Sequence, residues 1–210
     1  MNNHIYTIGR EFGSGGKEVG IALAKRLGVK CYDKELLAEA AKESGFCAEI
    51  FENHDEKPTN SFLYSLVMDT YSFGGYSSAP FLDMPLNHKV FLAQFDTIKK
   101  IAEKEPCVIV GRCADYALAD NENCLNIFIH ADLDYRIARV SKNLDLTANK
   151  AKDAIVKADK QRASYYNYYT SKKWGDSKSY HLTLDSSRIG IEGCVDLILT
   201  YREHMNKMKK

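Results

Sequence analysis

The chain has 210 residues, of which 45% are hydrophobic and 27% are charged, values typical of a globular protein and not of a disordered or fibrous one. Its 29 Lys and Arg residues against 28 Asp and Glu give a formal net charge of +1, so no overall positive field favours nucleic acid or an anionic membrane as a partner. No segment approaches the roughly 18 uncharged apolar residues of a membrane span and the N-terminus lacks a signal-peptide pattern, so we expect a cytoplasmic protein with a single domain, 1–210.

The first predicted unit is a strand, a glycine-rich loop and a helix. Residues 4–8 combine β-branched and aromatic side chains and end where the loop begins. Apolar residues then recur at helical spacing from Lys17, and Gly28 is in the right position to end this helix. A short second strand is predicted over residues 29–32, and Asp33 is placed to cap the helix that follows it.

The composition changes over residues 47–87. This stretch holds six acidic residues against a single cation, Lys57, and three of the four prolines. We interpret it as an inserted substrate flap around one helix at residues 61–71. An ordinary solvated acidic loop fits the same composition equally well.

The rest of the chain alternates helices with apolar strands. Helices are predicted over 86–105, 135–144 and 191–205, with Asp132 capping the second, and strands over 107–110, 125–130 and 181–184. Because uninterrupted apolar strands are buried on both faces, the pattern predicts a three-layer α/β/α fold with a five-stranded parallel sheet. Ligands bind such sheets at the carboxyl ends of the strands.

Five of the thirteen glycines lie between Gly9 and Gly20. A phosphate-binding loop needs them, because backbone N–H groups converge on an anion only where no side chain blocks them and positive φ is allowed. The helix that follows adds its N-terminal dipole, and Lys17 adds a charge for the β- and γ-phosphates of a nucleotide. The predicted cofactor-binding residues are Gly13, Ser14, Gly15, Gly16, Lys17 and Glu18.

The loop departs from the usual phosphate-binding pattern, G-x-x-x-x-G-K-[ST]. Glu11 occupies the position of the first glycine, and Glu18 replaces the hydroxyl residue that normally contacts Mg²⁺. We therefore expect Mg²⁺ to be held by phosphates, water and a carboxylate, with no dedicated metal site. The six cysteines are scattered without zinc-site spacing, which indicates reduced and mostly buried side chains. For the glycine-rich loop itself, the alternatives to a phosphate-binding loop are a turn that binds no ligand and a dinucleotide-binding loop.

Residues 145–178 form a candidate helical lid. Between residues 150 and 178 the chain has eight Lys or Arg and three Asp, a local charge of +5. Phosphoryl transfer needs cations that neutralise the transferring group, and a lid supplies them on closure while it excludes water. Asp159 and Arg162 are three residues apart on one predicted helix face, so the carboxylate is expected to hold the guanidinium in position. A solvated basic helix is the alternative.

Two further groups lie near the predicted site. Arg136 and Arg139 follow the fourth strand, again three residues apart, and we expect both to point at the cleft, although plain surface charges fit the spacing too. Four lid tyrosines are predicted to pack the lid on the core, with stacking on a nucleobase as the alternative: Tyr165, Tyr166, Tyr168 and Tyr169.

The sequence also carries four longer motifs: IGREFGSGGK at residues 8–17, YDKELL at 32–37, GRCADY at 111–116, and DKQR at 159–162 followed by WGD at 174–176. Together they resemble the cytidylate kinase-like family of P-loop kinases over nearly the whole chain. The resemblance implies a P-loop kinase fold, ATP with Mg²⁺ as the phosphoryl donor, and a small-molecule acceptor, by analogy a nucleoside monophosphate.

The resemblance also implies roles for individual residues. It predicts that Lys17 and Arg162 are catalytic and that Asp33, Arg112 and Asp159 bind the substrate. The spacing of Arg136 and Arg139, and not the resemblance, adds Arg136 as a catalytic and Arg139 as a substrate-binding residue. Cys113 stands where the Gly-Arg-Asp sequence of cytidylate kinases has its Asp, so recognition of cytosine or ribose through that position is not implied. A nucleotide-binding regulatory protein without efficient turnover and a kinase of a non-nucleotide small molecule are the alternative functions. No prediction is made for the oligomeric state.

Overall fold

The computed structural model describes residues 4–33, 36, 38, 42, 50, 55–57 and 85–208. The helix predicted over 61–71 and most of the predicted flap therefore lie outside the described residues. Of the helix predicted after Asp33, three residues are described, and all three are helical: Leu36, Ala38 and Lys42.

Five strands form one parallel sheet. They are β1 Ile5–Arg10, β2 Lys30–Tyr32, β3 Cys107–Val110, β4 Cys124–His130 and β5 Leu182–Asp185, in the spatial order β2-β3-β1-β4-β5. Every neighbouring pair is parallel, as predicted. β1 runs two residues beyond its predicted end, because Gly9 and Arg10 continue to pair with Phe128 and Ile129 of β4.

The structure gives bounds for six helices. They are α1 Gly16–Leu27, α2 Leu86–Lys104, α3 Ala114–Ala117, α4 Leu133–Leu144, α5 Ala148–Thr170 and α6 Ser186–Met208, the last interrupted at Gly190, and a 3-10 turn spans Ser177–Ser179. α1 ends at Gly28 as predicted, with the φ of 68° that a glycine C-cap adopts. Asp132 precedes α4, but its side chain makes no capping bond and pairs with Arg188 at 3.0 Å instead.

Helices cover both faces of the sheet, because successive strand residues point to opposite sides. Tyr6 and Ile8 pack with α1 and α6 on one side. Ile5 and Ile109 pack with α2 and α3 on the other. The predicted three-layer α/β/α architecture is therefore confirmed, and the carboxyl ends of β1, β2 and β3 lie together at one edge.

The aromatic residues of α5 attach it to this core. Tyr165, Tyr166 and Tyr169 are buried in a cluster with Phe91 of α2 and Phe128 of β4. The rings of Phe91 and Tyr169 stack with their centroids 3.9 Å apart. The tyrosines thus pack the candidate lid against the core, which is the first of the two roles considered for them.

Five cysteines lie in the described part of the chain, and all are free thiols; four are buried and Cys31 is partly exposed. Burial raises the pKa of Cys107 and Cys124 to about 12, so both side chains are protonated apolar groups at neutral pH. Within the described ranges, no helix has the length and apolar character to span a bilayer.

Candidate active site

The turn from β1 into α1 builds a loop at the carboxyl edge of the sheet. Gly13 and Gly15 have φ angles of 82° and 84°, a left-handed conformation that strains any residue with a Cβ. A Cβ on Gly16, the first residue of α1, would collide with the side chain of Arg10. The glycines therefore allow the loop to curl tightly and leave the positive end of the α1 dipole open to an anion.

A cavity of about 390 Å³ adjoins this loop, within the size range of small-molecule sites. Nine of the twelve predicted site residues line it: Gly13, Gly15, Gly16, Lys17, Glu18, Asp33, Arg112, Arg139 and Arg162. Of the remaining three, Ser14 is a buried residue of the loop itself, and Arg136 and Asp159 contact the loop at Phe12. The nine lining residues come from separate segments of the sequence and lie together at one place in the fold.

Lys17 and Asp33 meet inside the cavity. Lys17 Nζ lies 2.8 Å from Asp33 Oδ2, and the Lys17 side chain is 51% exposed, so a ligand can reach it. The other Asp33 oxygen accepts a hydrogen bond from Arg112 Nη1 at 3.0 Å. Burial favours the neutral acid, but Lys17 and Arg112 outweigh it and lower the pKa of Asp33. Asp33 is consequently a carboxylate at neutral pH.

Arg112 is the most enclosed charge of the site, with a side chain only 2% exposed. Its Nε and Nη2 donate to the two carboxylate oxygens of Asp55 at 3.1 and 2.9 Å. Its Nη1 donates to Asp33 and to the carbonyl of Val110, both at 3.0 Å. Burial disfavours the charge, but the surrounding carboxylates raise the pKa of Arg112 further. Four of its five N–H groups are therefore used within the protein.

Glu56 connects three elements through hydrogen bonds: strand β1, the turn that follows β3, and helix α5. Its Oε1 accepts hydrogen bonds from Arg10 Nη1 at 2.7 Å and from the Arg112 backbone N–H at 3.2 Å, and its Oε2 accepts from Arg162 Nε at 3.2 Å. Burial favours the neutral acid, but these arginines outweigh it and hold the pKa of Glu56 well below its ordinary value. Gly111 makes room for the cluster, because a Cβ there would overlap Arg10 and Glu56.

Arg10, Asp55 and Glu56 also line the cavity, although the sequence did not predict them as site residues. Asp55 and Glu56 belong to the acidic stretch of residues 47–87, and Arg10 belongs to the loop motif of residues 8–17. The available signal was the complementary charge of the acidic flap and the basic lid. That signal does not identify which carboxylate meets which arginine.

Asp159 and Arg162 do not form the pair that their spacing predicted. Asp159 Oδ1 accepts from the backbone N–H of Phe12 at 2.7 Å, and its Oδ2 accepts from Arg136 Nη1 at 2.5 Å. Arg162 instead donates to Glu56, and its guanidinium lies over the Phe12 ring at 5.6 Å. The expectation that Asp159 holds Arg162 is corrected: the loop backbone and Arg136 engage both oxygens of Asp159.

Arg136 and Arg139 contact the loop from different sides. Arg136 is buried behind it, where its Nη1 lies 3.4 Å from the Phe12 carbonyl and its Nε lies 3.4 Å from Glu11 Oε2. Arg139 lines the cavity and donates its Nε to the Gly13 carbonyl at 3.1 Å. The expectation that both arginines point at the cleft is therefore wrong for Arg136, which supports the loop from its buried side. Arg139 does line the cavity, beside the glycine loop.

Polar bonds also fasten the loop to the neighbouring strands. Ser14 is fully buried and donates its hydroxyl to the Glu11 carbonyl at 2.9 Å. The Ser14 carbonyl accepts from Ser186 Oγ at 2.5 Å. Glu11 Oε2 accepts from the Ala131 N–H at 3.1 Å. The acidic residue that replaces the first glycine of the pattern thus ties the loop to the end of β4.

The residues of the cavity fit a metal ion that arrives with a nucleotide. In the residues that the structure describes, no three His, Cys, Asp or Glu side chains are grouped as a metal site. Mg²⁺ in phosphoryl-transfer sites is commonly bound by substrate phosphates, water and one or two carboxylates. Glu18 and Asp33 both line the cavity and supply oxygen donors of that kind.

Comparison with known proteins identifies one matching family and several solved structures with a similar fold. The model of the cytidylate kinase-like family matches residues 5–188. No curated protein matches the chain. An uncharacterized protein from Eubacterium ventriosum is 31% identical, with a TM-score of 0.72 over 96% of this chain and 99% of that one.

Two more distant solved structures share the fold. Shikimate kinase from Bacteroides thetaiotaomicron is 15% identical, with a TM-score of 0.54 over 95% of this chain and 98% of that one. TT1252 from Thermus thermophilus is also 15% identical, with a TM-score of 0.52 over 96% and 98%. At this level of identity the likeness concerns the fold, which is that of P-loop kinases.

Proposed function

The chain belongs to the cytidylate kinase-like family, and from this membership we propose that it transfers the γ-phosphoryl group of ATP to a small acceptor. Family and fold are those of P-loop small-molecule kinases. One observation carries the proposal: Lys17 of the glycine loop lies 2.8 Å from Asp33 within a cavity that Arg162 of α5 also lines. Because ATP is the proposed donor, we also propose that the protein is cytoplasmic.

Catalysis in this site consists of positioning and charge neutralisation. The loop N–H groups and Lys17 bind the donor phosphates, and Arg162 neutralises charge on the transferring group. Arg162 of α5 lines the cavity, and closure of this helix on bound substrates would limit the access of water. Glu18 and Asp33 are the residues of this chain that would hold Mg²⁺ bound with ATP, and the ion would supply positive charge that offsets the charge of the phosphates.

The first candidate acceptor is a nucleoside monophosphate, which the family description and the sequence resemblance favour. In that reaction Asp33 and Arg112 would bind the acceptor. Arg112, however, already donates four N–H groups inside the protein, to Asp55, to Asp33 and to the carbonyl of Val110. A phosphate dianion would have to displace Asp33 or Asp55 to bind the Arg112 side chain.

The internal pairing of Arg112 favours a second candidate, a small non-nucleotide alcohol. A hydroxyl group needs no free arginine, so it can enter the cavity without breaking the buried ion pairs. It does need a group that accepts its proton during transfer. Asp33 is an ionised carboxylate that lines the cavity, so it is the candidate for this proton acceptor.

ADP-release assays with ATP and Mg²⁺ against nucleoside monophosphates, nucleosides and small alcohols test the proposal and separate the two acceptors. We expect one acceptor class to raise ADP release well above the acceptor-free rate. Lys17→Ala should abolish this stimulation, whereas Lys25→Ala, an exposed lysine of the same helix, should retain it. ATP binding without stimulation by any acceptor would instead indicate a nucleotide-binding regulatory protein. Failure to bind ATP would refute the proposal.

A further inference from the structure

The position after the loop lysine carries a carboxylate in this chain. Glu18 stands where loops of the G-K-[ST] pattern have the hydroxyl that touches Mg²⁺. It lies in the first turn of α1 and lines the cavity next to Gly16 and Lys17. Its side chain is 48% exposed, so a ligand that occupies the cavity can reach it.

Arg139 forms an ion pair with the Glu18 carboxylate. Its Nη2 donates to Glu18 Oε1 at 2.7 Å, while its Nε donates to the Gly13 carbonyl at 3.1 Å. One guanidinium thereby bridges the loop and the first turn of α1. It also neutralises a negative charge that lies beside the phosphate-binding backbone.

We infer that Glu18 is a direct metal ligand and that it exchanges Arg139 for the divalent cation when a metal–nucleotide complex binds. This inference rests on the proposed binding of ATP. A carboxylate oxygen is a donor that Mg²⁺ accepts together with phosphates. Bare triphosphate and a carboxylate repel each other, and the repulsion is stronger in a partly enclosed site than in water. The affinity for ATP should therefore depend more strongly on the divalent cation in this protein than in a protein whose loop has a hydroxyl residue at this position.

Calorimetric titration with ATP, once in the presence of Mg²⁺ and once in the presence of EDTA, measures this dependence. The quantity compared is the ratio of the Kd with EDTA to the Kd with Mg²⁺. Glu18→Gln keeps the shape of the side chain and removes its charge, so we expect the ratio to fall by about tenfold, mainly through tighter binding of metal-free ATP. Glu18→Ser should change the ratio in the same direction. Glu192→Gln is the matched control, because Glu192 also pairs with an arginine, Arg26, at 2.7 Å but on the outer surface. Its ratio should equal that of the wild type.

Binding of Mn²⁺ in the presence of ADP gives a second readout that does not depend on turnover. The electron paramagnetic resonance signal of free Mn²⁺ should show that Glu18→Gln weakens metal binding severalfold. Unchanged Mn²⁺ affinity, or equal Kd ratios for Glu18→Gln and the wild type, overturns the metal role of Glu18 and leaves the kinase proposal standing if the wild type binds ATP with Mg²⁺. Failure of the wild type to bind ATP with Mg²⁺ refutes both.

Discussion

Replacement of Glu56 by glutamine is expected to destabilise the protein strongly, because it leaves buried arginine charges without their counter-ion. Glu56 is 8% exposed and lies 2.7 Å from Arg10 and 3.2 Å from Arg162, whose side chains are only 11% and 18% exposed. Removal of one partner from a buried ion pair costs about 3–5 kcal/mol. For a chain of this length, such a loss lowers Tm by roughly 10 °C.

Urea unfolding at pH 7, followed by circular dichroism, measures this loss. Glu192→Gln breaks an ion pair in which Glu192 is 72% exposed, so it should cost less than about 1 kcal/mol. Arg162→Met added to Glu56→Gln should recover part of the loss, because it removes one of the uncompensated charges. If Glu56→Gln costs no more than Glu192→Gln, the reasoning about buried charge in this cluster is refuted.

The pH dependence of the Glu56 contribution has a definite sign. Its pKa is lowered in the folded protein, whereas the unfolded chain has a value of about 4.3. The unfolded state therefore binds the proton first, and stability falls as the pH decreases. The difference in unfolding free energy between the wild type and Glu56→Gln should be complete at neutral pH and should shrink below about pH 4. A constant difference down to pH 3 would contradict this.

Three further variants test separate parts of the site. Lys17→Ala should lower kcat on the order of a hundredfold or more while Tm is retained, because the exposed lysine neutralises transition-state charge; wild-type kcat would exclude this role. Arg162→Lys should lower kcat at least about tenfold in steady-state assays, since an ammonium cannot hold Glu56 through Nε and still present a planar fork to a phosphoryl group; an equal rate would show that a point charge suffices. Gly111→Ala should lower the free energy of unfolding, measured in urea, by more than Gly28→Ala does. Both glycines have a positive φ, but of the two only Gly111 has the Arg10–Glu56 pair next to the added methyl group. Equal costs would leave backbone strain as the whole effect.

The fold and the phosphate loop could be predicted because their signals are local. Apolar runs such as that of β3 indicate a strand covered on both faces without reference to any partner. The spacing of Gly13, Gly15 and Lys17 indicates an anion-binding turn in the same way. Strand ends were less certain, since the extension of β1 to Arg10 depends on pairing with β4.

The ion pairs could not be predicted, because their partners are distant in sequence and several like charges compete for each. Glu56 is 46 residues from Arg10 and 106 from Arg162. Helical spacing placed Asp159 and Arg162 on one face. It could not reveal that the amide of Phe12, 147 residues from Asp159, lies within 2.7 Å of the carboxylate.

The two acidic residues that depart from the loop pattern have different consequences in three dimensions. Glu11 is bound to the Ala131 N–H and lies 3.4 Å from Arg136, so it fastens the loop to the sheet. Glu18 is more exposed and, among the residues that the structure describes, it is paired with Arg139, a side chain that itself lines the cavity. The first departure therefore leaves the anion-binding backbone intact, and the second changes the chemistry offered to a metal. By this reasoning, the reaction should differ from that of a hydroxyl-bearing loop in its metal dependence and not in its ability to bind phosphate.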